Sequence, residues 1–200
     1  MLGKSWAVAL LLLPLSALAA EGLSYNYVEA DYFQGDIDVP GGEVDFDGFA
    51  LEGSFGFNEM FYVTGQYADA SIDETGVDGD SEGISLGIGG HTSQWTGGVD
   101  LFGVLSYERA EVDISVTSGG ITRSFKADDD GFGVEVGLRS LVTAALELNG
   151  SVKYVDVGDA DGTGFEIGAV YSFTPTIAAL AAYQDGEDSS GFLVGGRLYF

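Results

Sequence analysis

Two short residue patterns alternate five times along this chain, and together they restrict it to a row of β-hairpins. The first runs Gly, then an aromatic residue or Ile, any residue, and an aliphatic one. It occurs at Gly48-Phe49-Ala50-Leu51, Gly83-Ile84-Ser85-Leu86, Gly131-Phe132-Gly133-Val134, Gly164-Phe165-Glu166-Ile167 and Gly191-Phe192-Leu193-Val194. The second ends on a tyrosine with a small or apolar residue two places before it: Ala30-Asp31-Tyr32, Gly65-Gln66-Tyr67, Leu105-Ser106-Tyr107, Val152-Lys153-Tyr154 and Ala181-Ala182-Tyr183. The patterns interleave, tyrosine first. They predict ten antiparallel strands, with eight as the alternative count.

Strand residues point alternately to two faces. One predicted face carries Phe49, Leu51, Phe55 and Phe57, then Phe61, Val63 and Tyr67, and so on to Phe192, Val194, Leu198 and Phe200, without a single charge. The other carries Glu29, Asp31, Glu52, Gln66, Glu135, Arg139, Glu147, Lys153, Glu166 and Arg197, with many Gly and Ala. A soluble sandwich or lipocalin-like barrel would turn the apolar face inward. A transmembrane barrel turns it to lipid and encloses the ions. The enclosed reading suits the glycines and mixed charges. It also suits the aromatic residues, which gather where each strand meets a loop, as in an interfacial girdle. The fold class expected is all-β, a transmembrane up-and-down β-barrel. Phe49 to Phe57, at about 3.3 Å per residue and a tilt near 40°, covers roughly 20 Å, close to the ~25 Å apolar band of such barrels. An open edge in lipid would leave backbone groups unpaired, so strand one must meet strand ten.

Composition narrows the rest. Residues 1–20 read as a secretory signal peptide: Lys4, an apolar stretch from Trp6 to Leu15, then Ala17-Leu18-Ala19 at the cleavage positions. Residues 21–200 form one barrel domain. No Cys is present, so no disulfide framework holds it. The formal charge of −25 argues against nucleic-acid binding. Acids crowd the segments 35–47, 69–82, 108–130, 156–161 and 184–188, each between a patterned Tyr and a patterned Gly. These are expected to be long loops on the extracellular side, and residues 108–130 can extend strands five and six into a hairpin. The turns at Asn58-Glu59-Met60, 139–145 and Thr174-Pro175-Thr176 are short and are expected to face the periplasm, as is the longer 91–98.

The signal, the alternating strands and the terminal Phe200 resemble small Gram-negative outer-membrane β-barrels of the OmpA/OmpX kind. The start of the mature chain, Ala20 to Glu29, resembles small outer-membrane barrel proteins of xanthomonad type, a group with no chemistry to carry over. The last strand is similar to the signal read by the barrel-assembly machinery. Gly195, Leu198 and Phe200 fit it, while Leu193 stands where a polar residue is usual. The resemblance implies partners: outer-membrane lipid and lipopolysaccharide, and the assembly machinery during insertion. A monomer is expected.

Candidate chemistry centres on the lumen. Lys153 and Glu166 are expected to face each other. Arg139 and Glu147 flank one short turn, and Arg197 can meet Glu29 across the closure. A narrow barrel filled by such pairs is a plug. Glu52 and Glu135 lack obvious partners, which leaves a thin cation-selective pore as the alternative. An enzyme would need a base near the outer end. The single His91 falls in a short-turn segment, so no catalytic residue is assigned, and no cofactor. Asp156, Asp159 and Asp161, and Asp73, Glu74, Asp78 and Asp80, offer oxygen ligands for weak divalent-cation binding, but lack EF-hand spacing, and no metal residue is assigned. Gly87-Ile88-Gly89-Gly90 lacks the Lys of a phosphate loop.

Overall fold

The two patterns meet in space. In the computed structural model Tyr32, Tyr67, Tyr107 and Tyr183 lie directly opposite Phe49, Ile84, Phe132 and Phe192 on neighbouring strands. Ring centroids of Tyr32 and Phe49 are 5.2 Å apart and those of Tyr183 and Phe192 4.9 Å. Such cross-strand aromatic pairs stabilise a sheet and fix its register. The structure describes residues 23–39, 42–74, 77–92, 98–118 and 121–200. The proposed signal peptide lies outside these residues.

The strands are β1 (Tyr27–Val39), β2 (Gly42–Gly56), β3 (Phe61–Glu74), β4 (Val77–His91), β5 (Val99–Ser118), β6 (Ile121–Leu141), β7 (Leu146–Val157), β8 (Ala160–Ser172), β9 (Ile177–Asp185) and β10 (Ser189–Tyr199). Each pairs antiparallel with its neighbours, and β1 pairs with β10 from Tyr27↔Tyr199 to Ile37↔Ser189, which closes the barrel. The count is ten, not the alternative eight. Closure leaves no strand with an unpaired edge, the condition for a sheet in hydrocarbon. Among the described residues no helix is long and apolar enough to cross a membrane.

Three short turns share one device. Asn58 Oδ1 accepts from the N–H groups of Met60 and Phe61, both at 2.8 Å. Thr143 Oγ1 accepts from Ala145 and Leu146, and Thr174 Oγ1 from Thr176 and Ile177. A short polar side chain thereby satisfies the donors of each turn. The middle turn is shorter than its sequence suggests. β6 continues to Leu141, so Arg139 belongs to a strand and points into the lumen.

The acidic segments are largely strand rather than loop. Glu108↔Gly131 through Ser118↔Ile121 is an unbroken ladder, Asp36↔Asp45 and Asp69↔Glu82 are ladder pairs, and 156–161 is strand but for a turn at Gly158 and Asp159; in 184–188 the strand ends at Asp185 and residues 186–188 form the expected connection. Above the girdle the polarity of the two faces is exchanged. Outward positions there carry Asp36, Asp45, Asp80, Glu82, Asp113 and Asp128, while lumen-side positions carry Phe33, Val44, Phe46, Ile72 and Ile114. Below it the outer face is apolar and bare, with Phe49, Leu51 and Ile167 each at least 60 % exposed. The inner face there buries Glu29, Asp31, Glu108, Arg139, Glu147 and Arg197. An apolar belt of this extent requires lipid around it. Where the strands leave the lipid, water wets the outer face and the alternation reverses sign.

Candidate functional site

The lumen is built in layers, read from the short-turn end upward. The floor begins with the segment before β1, which folds under the barrel. Tyr25 stacks on His91 with centroids 4.1 Å apart and lies 4.5 Å from Tyr62. Its hydroxyl donates to Asp100 Oδ2 at 3.2 Å. The same carboxylate meets His91 Nδ1 at 2.8 Å and accepts from Thr92 Oγ1 at 3.2 Å. Arg139 lies over the Tyr25 ring at 4.5 Å, donates to both Glu147 oxygens at 2.6 and 3.0 Å, and reaches the Ser24 carbonyl at 3.1 Å. Tyr25, Tyr62, Asp100, Arg139 and Glu147 are all buried. This layer closes the short-turn end.

Above it, Arg197 pairs with Glu29 across the β10–β1 closure, and its guanidinium sits 4.1 Å from the Tyr27 ring centroid. The Tyr27 hydroxyl donates to Glu52 Oε1 at 2.5 Å. Higher still, Lys153 meets Glu108 at 2.8 Å, and Ser85 and Ser106 donate to the same Glu108 oxygen at 3.1 and 2.6 Å.

The expected pairing of Lys153 with Glu166 is not made. The ladder sets Lys153 opposite Gly164, and Glu166 opposite Ser151. Lys153 instead reaches from β7 past β6 to Glu108 on β5. Gly133 on β6 makes that route open, since a methyl there would collide with Glu108, Ser106 and the Lys153 side chain. Glu166 accepts from Gln184 Nε2 at 2.8 Å. Glu135 is the ladder partner of Lys153, but the Lys153 ammonium bonds elsewhere. Arg139 meets Glu147, and Arg197 meets Glu29, as their positions suggest.

His91 is not in a turn. It ends β4 and faces the lumen, with Asp100 and Tyr25 as partners. Asp100, Tyr25 and Tyr62 join the polar network without having been singled out in the sequence. Asp100 carries the signal that could have found it: it lies on the opposite face from Leu101, Leu105 and Tyr107, the face on which the alternation also places Glu108. Gly195 faces the lumen, and the space its missing side chain leaves is taken by the Asp31 carboxylate. Leu198 and Phe200 are exposed on the lipid side, and the Phe200 N–H donates to the Asn26 carbonyl at 3.2 Å. Asp156 and Asp161 oppose each other in the β7–β8 hairpin. Among the described residues no three acidic or histidine side chains converge to hold a metal ion. The side chains of Asp73 and Glu74 lie outside the described set.

A cavity of about 720 Å³ rises from the floor at Tyr25, Tyr62 and Arg139 to the β9–β10 turn at Gly186 to Ser189. Among the described residues the lumen is therefore a cup, with its floor at the short-turn end and its mouth at the end of the long hairpins. In outer-membrane barrels the short turns are periplasmic and the long connections extracellular.

A closed, lipid-belted barrel with an ionic interior is an integral protein of the bacterial outer membrane. The chain matches the family described as the outer membrane protein beta-barrel domain over residues 5–173, and it belongs to that family. No curated protein sequence matches it. Among solved structures it is similar to the beta domain of the Bordetella autotransporter BrkA, with TM-score 0.55, 13% identity and coverage of 88% of this chain and 100% of that one. It is similar to the translocator domain of the autotransporter NalP from Neisseria meningitidis, with TM-score 0.52, 14% identity and coverage of 90% and 91%. It is also similar to the outer membrane protein OprG from Pseudomonas aeruginosa, with TM-score 0.51, 12% identity and coverage of 90% and 98%. At these identities the likeness establishes the fold.

Proposed function

We propose that this protein is a non-conducting outer-membrane barrel with a structural and surface-interaction role, exercised through the acidic hairpins above the membrane. The observation that carries the reading is the floor. Arg139, Glu147, Asp100, Tyr25 and Tyr62 are buried, Arg139 is bonded to Glu147 and Tyr25 to Asp100, and the Tyr62 ring packs on Tyr25, so an ion would have to break paired charges to pass. A non-enzymatic role is supported by His91, which is held by Asp100 and Tyr25 at the closed end, away from the mouth. The mature protein is expected to give no steps in planar lipid bilayers. Steady cation-selective steps would overturn the reading in favour of a narrow pore, whose support is Glu52 and Glu135, lumen carboxylates reached by no salt bridge among the described residues.

The partners in this reading are outer-membrane lipid and lipopolysaccharide, with weak divalent cations at the acidic hairpins and no nucleic acid. Export by the N-terminal signal and insertion by the assembly machinery complete it. The lipid-side exposure of Leu198 and Phe200 supports the last strand as the handle for insertion. Deleting Phe200 is expected to lower the inserted fraction in cells; an unchanged fraction argues against that role.

A further inference from the structure

We propose that the outer wall holds a seat for one acyl chain of an outer-leaflet lipid, lipopolysaccharide, at the recess between Gly53 and Gly65. This rests on the lipid partner named above and gives it a place on the barrel.

The first ground is shape. Gly53 on β2 and Gly65 on β3 are ladder partners, and both stand on the outward face. Their row continues to Val28 on one side and to Leu86, Tyr107 and Phe132 on the other. With Phe55 and Val63 below them, they form a cavity of about 920 Å³ on the lipid side. Neighbouring side chains do not fill it. A methyl on Gly53 would meet nothing closer than Val28 Cγ1 at 3.9 Å, and one on Gly65 would meet Leu86 Cδ2 at 3.2 Å. Two other outward glycines make no such recess. The Phe61 ring covers Gly90, and Gly196 has only Ala30 and Ala179 as ladder partners, so no wall rises beside it. The backbone under the recess is spent in the ladders and its walls carry no charge. What fits there has no polar atom of its own. Left empty, the recess would forfeit dispersion contacts along its lining. In a bilayer the flexible apolar body at hand is an alkyl chain.

The second ground is slope and charge, which together choose the leaflet. Val28 and Gly53 lie four residues below the girdle pair Tyr32–Phe49, and Gly65 and Leu86 two below Tyr67–Ile84. Tyr107–Phe132 is itself a girdle pair. The row therefore climbs as it crosses six strands, about 24 Å at about 4.8 Å per strand, and reaches headgroup depth on the long-hairpin side. Arg109 is the next outward residue above Tyr107 on β5. Among the described residues Arg109 and Lys126 are the only cations at outward positions, and both belong to the hairpin over this end. The salt bridge of Arg109 is a half-exposed one with Asp128 at 2.7 Å. Such a pair contributes little, so the guanidinium can turn to a lipid phosphate, which it binds through parallel N–H donors. Asp130, opposite Arg109 in the ladder, weakens that pull. The recess thus carries the affinity, and Arg109 the choice of headgroup. A chain rising from the inner leaflet would meet no outward cation at the short-turn rim among the described residues.

The test uses the full mature barrel in dodecyl maltoside, titrated with purified lipid A, the anchor of lipopolysaccharide, or with zwitterionic phosphatidylethanolamine. Native mass spectrometry reads the lipid retained per barrel, and gel mobility of unheated samples confirms that each variant is folded. Wild type is expected to retain one lipid A, bound about fivefold more tightly than phosphatidylethanolamine. Gly53→Leu fills the recess and is expected to weaken both lipids about tenfold. Gly196→Leu puts the same side chain on the flat part of the outer face and is expected to change neither. Arg109→Gln is expected to erase the preference for lipid A while leaving phosphatidylethanolamine unchanged. Gly65→Leu serves in place of Gly53→Leu should that variant not fold. No lipid retained by wild type, equal losses in Gly53→Leu and Gly196→Leu, or phosphatidylethanolamine bound as tightly as lipid A overturns the proposal. A barrel that stays folded and dissolved without detergent refutes the lipid partner itself, whereas a detergent-dependent barrel whose lipid binding ignores the recess refutes the seat alone.

Discussion

Replacing Glu147 by Leu tests whether the floor is an ion-paired seal. Arg139 is 5 % exposed and holds Glu147 by two charge-assisted hydrogen bonds of 2.6 and 3.0 Å. In the variant the guanidinium keeps only the Ser24 carbonyl at 3.1 Å and the Tyr25 ring face. Two bonds of about 1.5–3 kcal/mol each are lost, and removing one partner of a buried pair costs about 3–5 kcal/mol. With a urea slope of about 2 kcal/mol per molar, the unfolding midpoint falls by about 2 M. Reversible urea unfolding in lipid vesicles, followed by circular dichroism and by the gel mobility of unheated samples, measures the shift. The double variant Arg139→Met with Glu147→Leu removes both charges and is expected to recover most of the loss, because an apolar pair of similar volume avoids the desolvation cost. Asp128→Asn breaks the exposed pair made with Arg109 in the β5–β6 hairpin and should leave the midpoint unmoved. The reasoning fails if Glu147→Leu unfolds at the wild-type midpoint, or if the double variant is no better than the single one.

The lipid-facing assignment is tested by Leu51→Arg, which places a charge on the bare outer face of β2. It should cost about 2–4 kcal/mol in lipid, whereas Glu52→Gln one residue away should be tolerated; the reverse order would mean that the faces are exchanged. Above the membrane, a hydrogen bond to Asp45, with burial and repulsion from neighbouring acids, holds the Asp36 carboxyl above the ordinary carboxylate range. A raised folded-state value means that the contribution is full below the unfolded value and is lost as pH rises through the folded one. The β1–β2 hairpin should therefore tighten on acidification, seen as slower amide exchange after correction for intrinsic rates. Asp36→Asn should remove the pH dependence, and a hairpin that loosens in acid would contradict the pairing.

The architecture could be read before the coordinates because strand alternation is local. Backbone geometry alone sends Phe49, Leu51 and Phe55 one way and Ala50, Glu52 and Ser54 the other, whatever lies beyond. The same holds for the girdle, since Tyr32 and Phe49 mark where two strands leave the lipid. Pairings near a turn or across the closure also followed from position, as with Arg139 and Glu147. Tertiary structure alone settled the contacts that skip a strand. Lys153 finds Glu108 rather than Glu166 because β6 offers Gly133 between them, and the register of three strands decides which side chains share a level. It also turned Tyr25 beneath the barrel onto His91 and Asp100, a contact 75 residues apart in the chain. And it carried the strands past the girdle, where acids that look like loop residues become the wet face of a sheet. Local periodicity tells which way a side chain points; only closure tells what stands opposite.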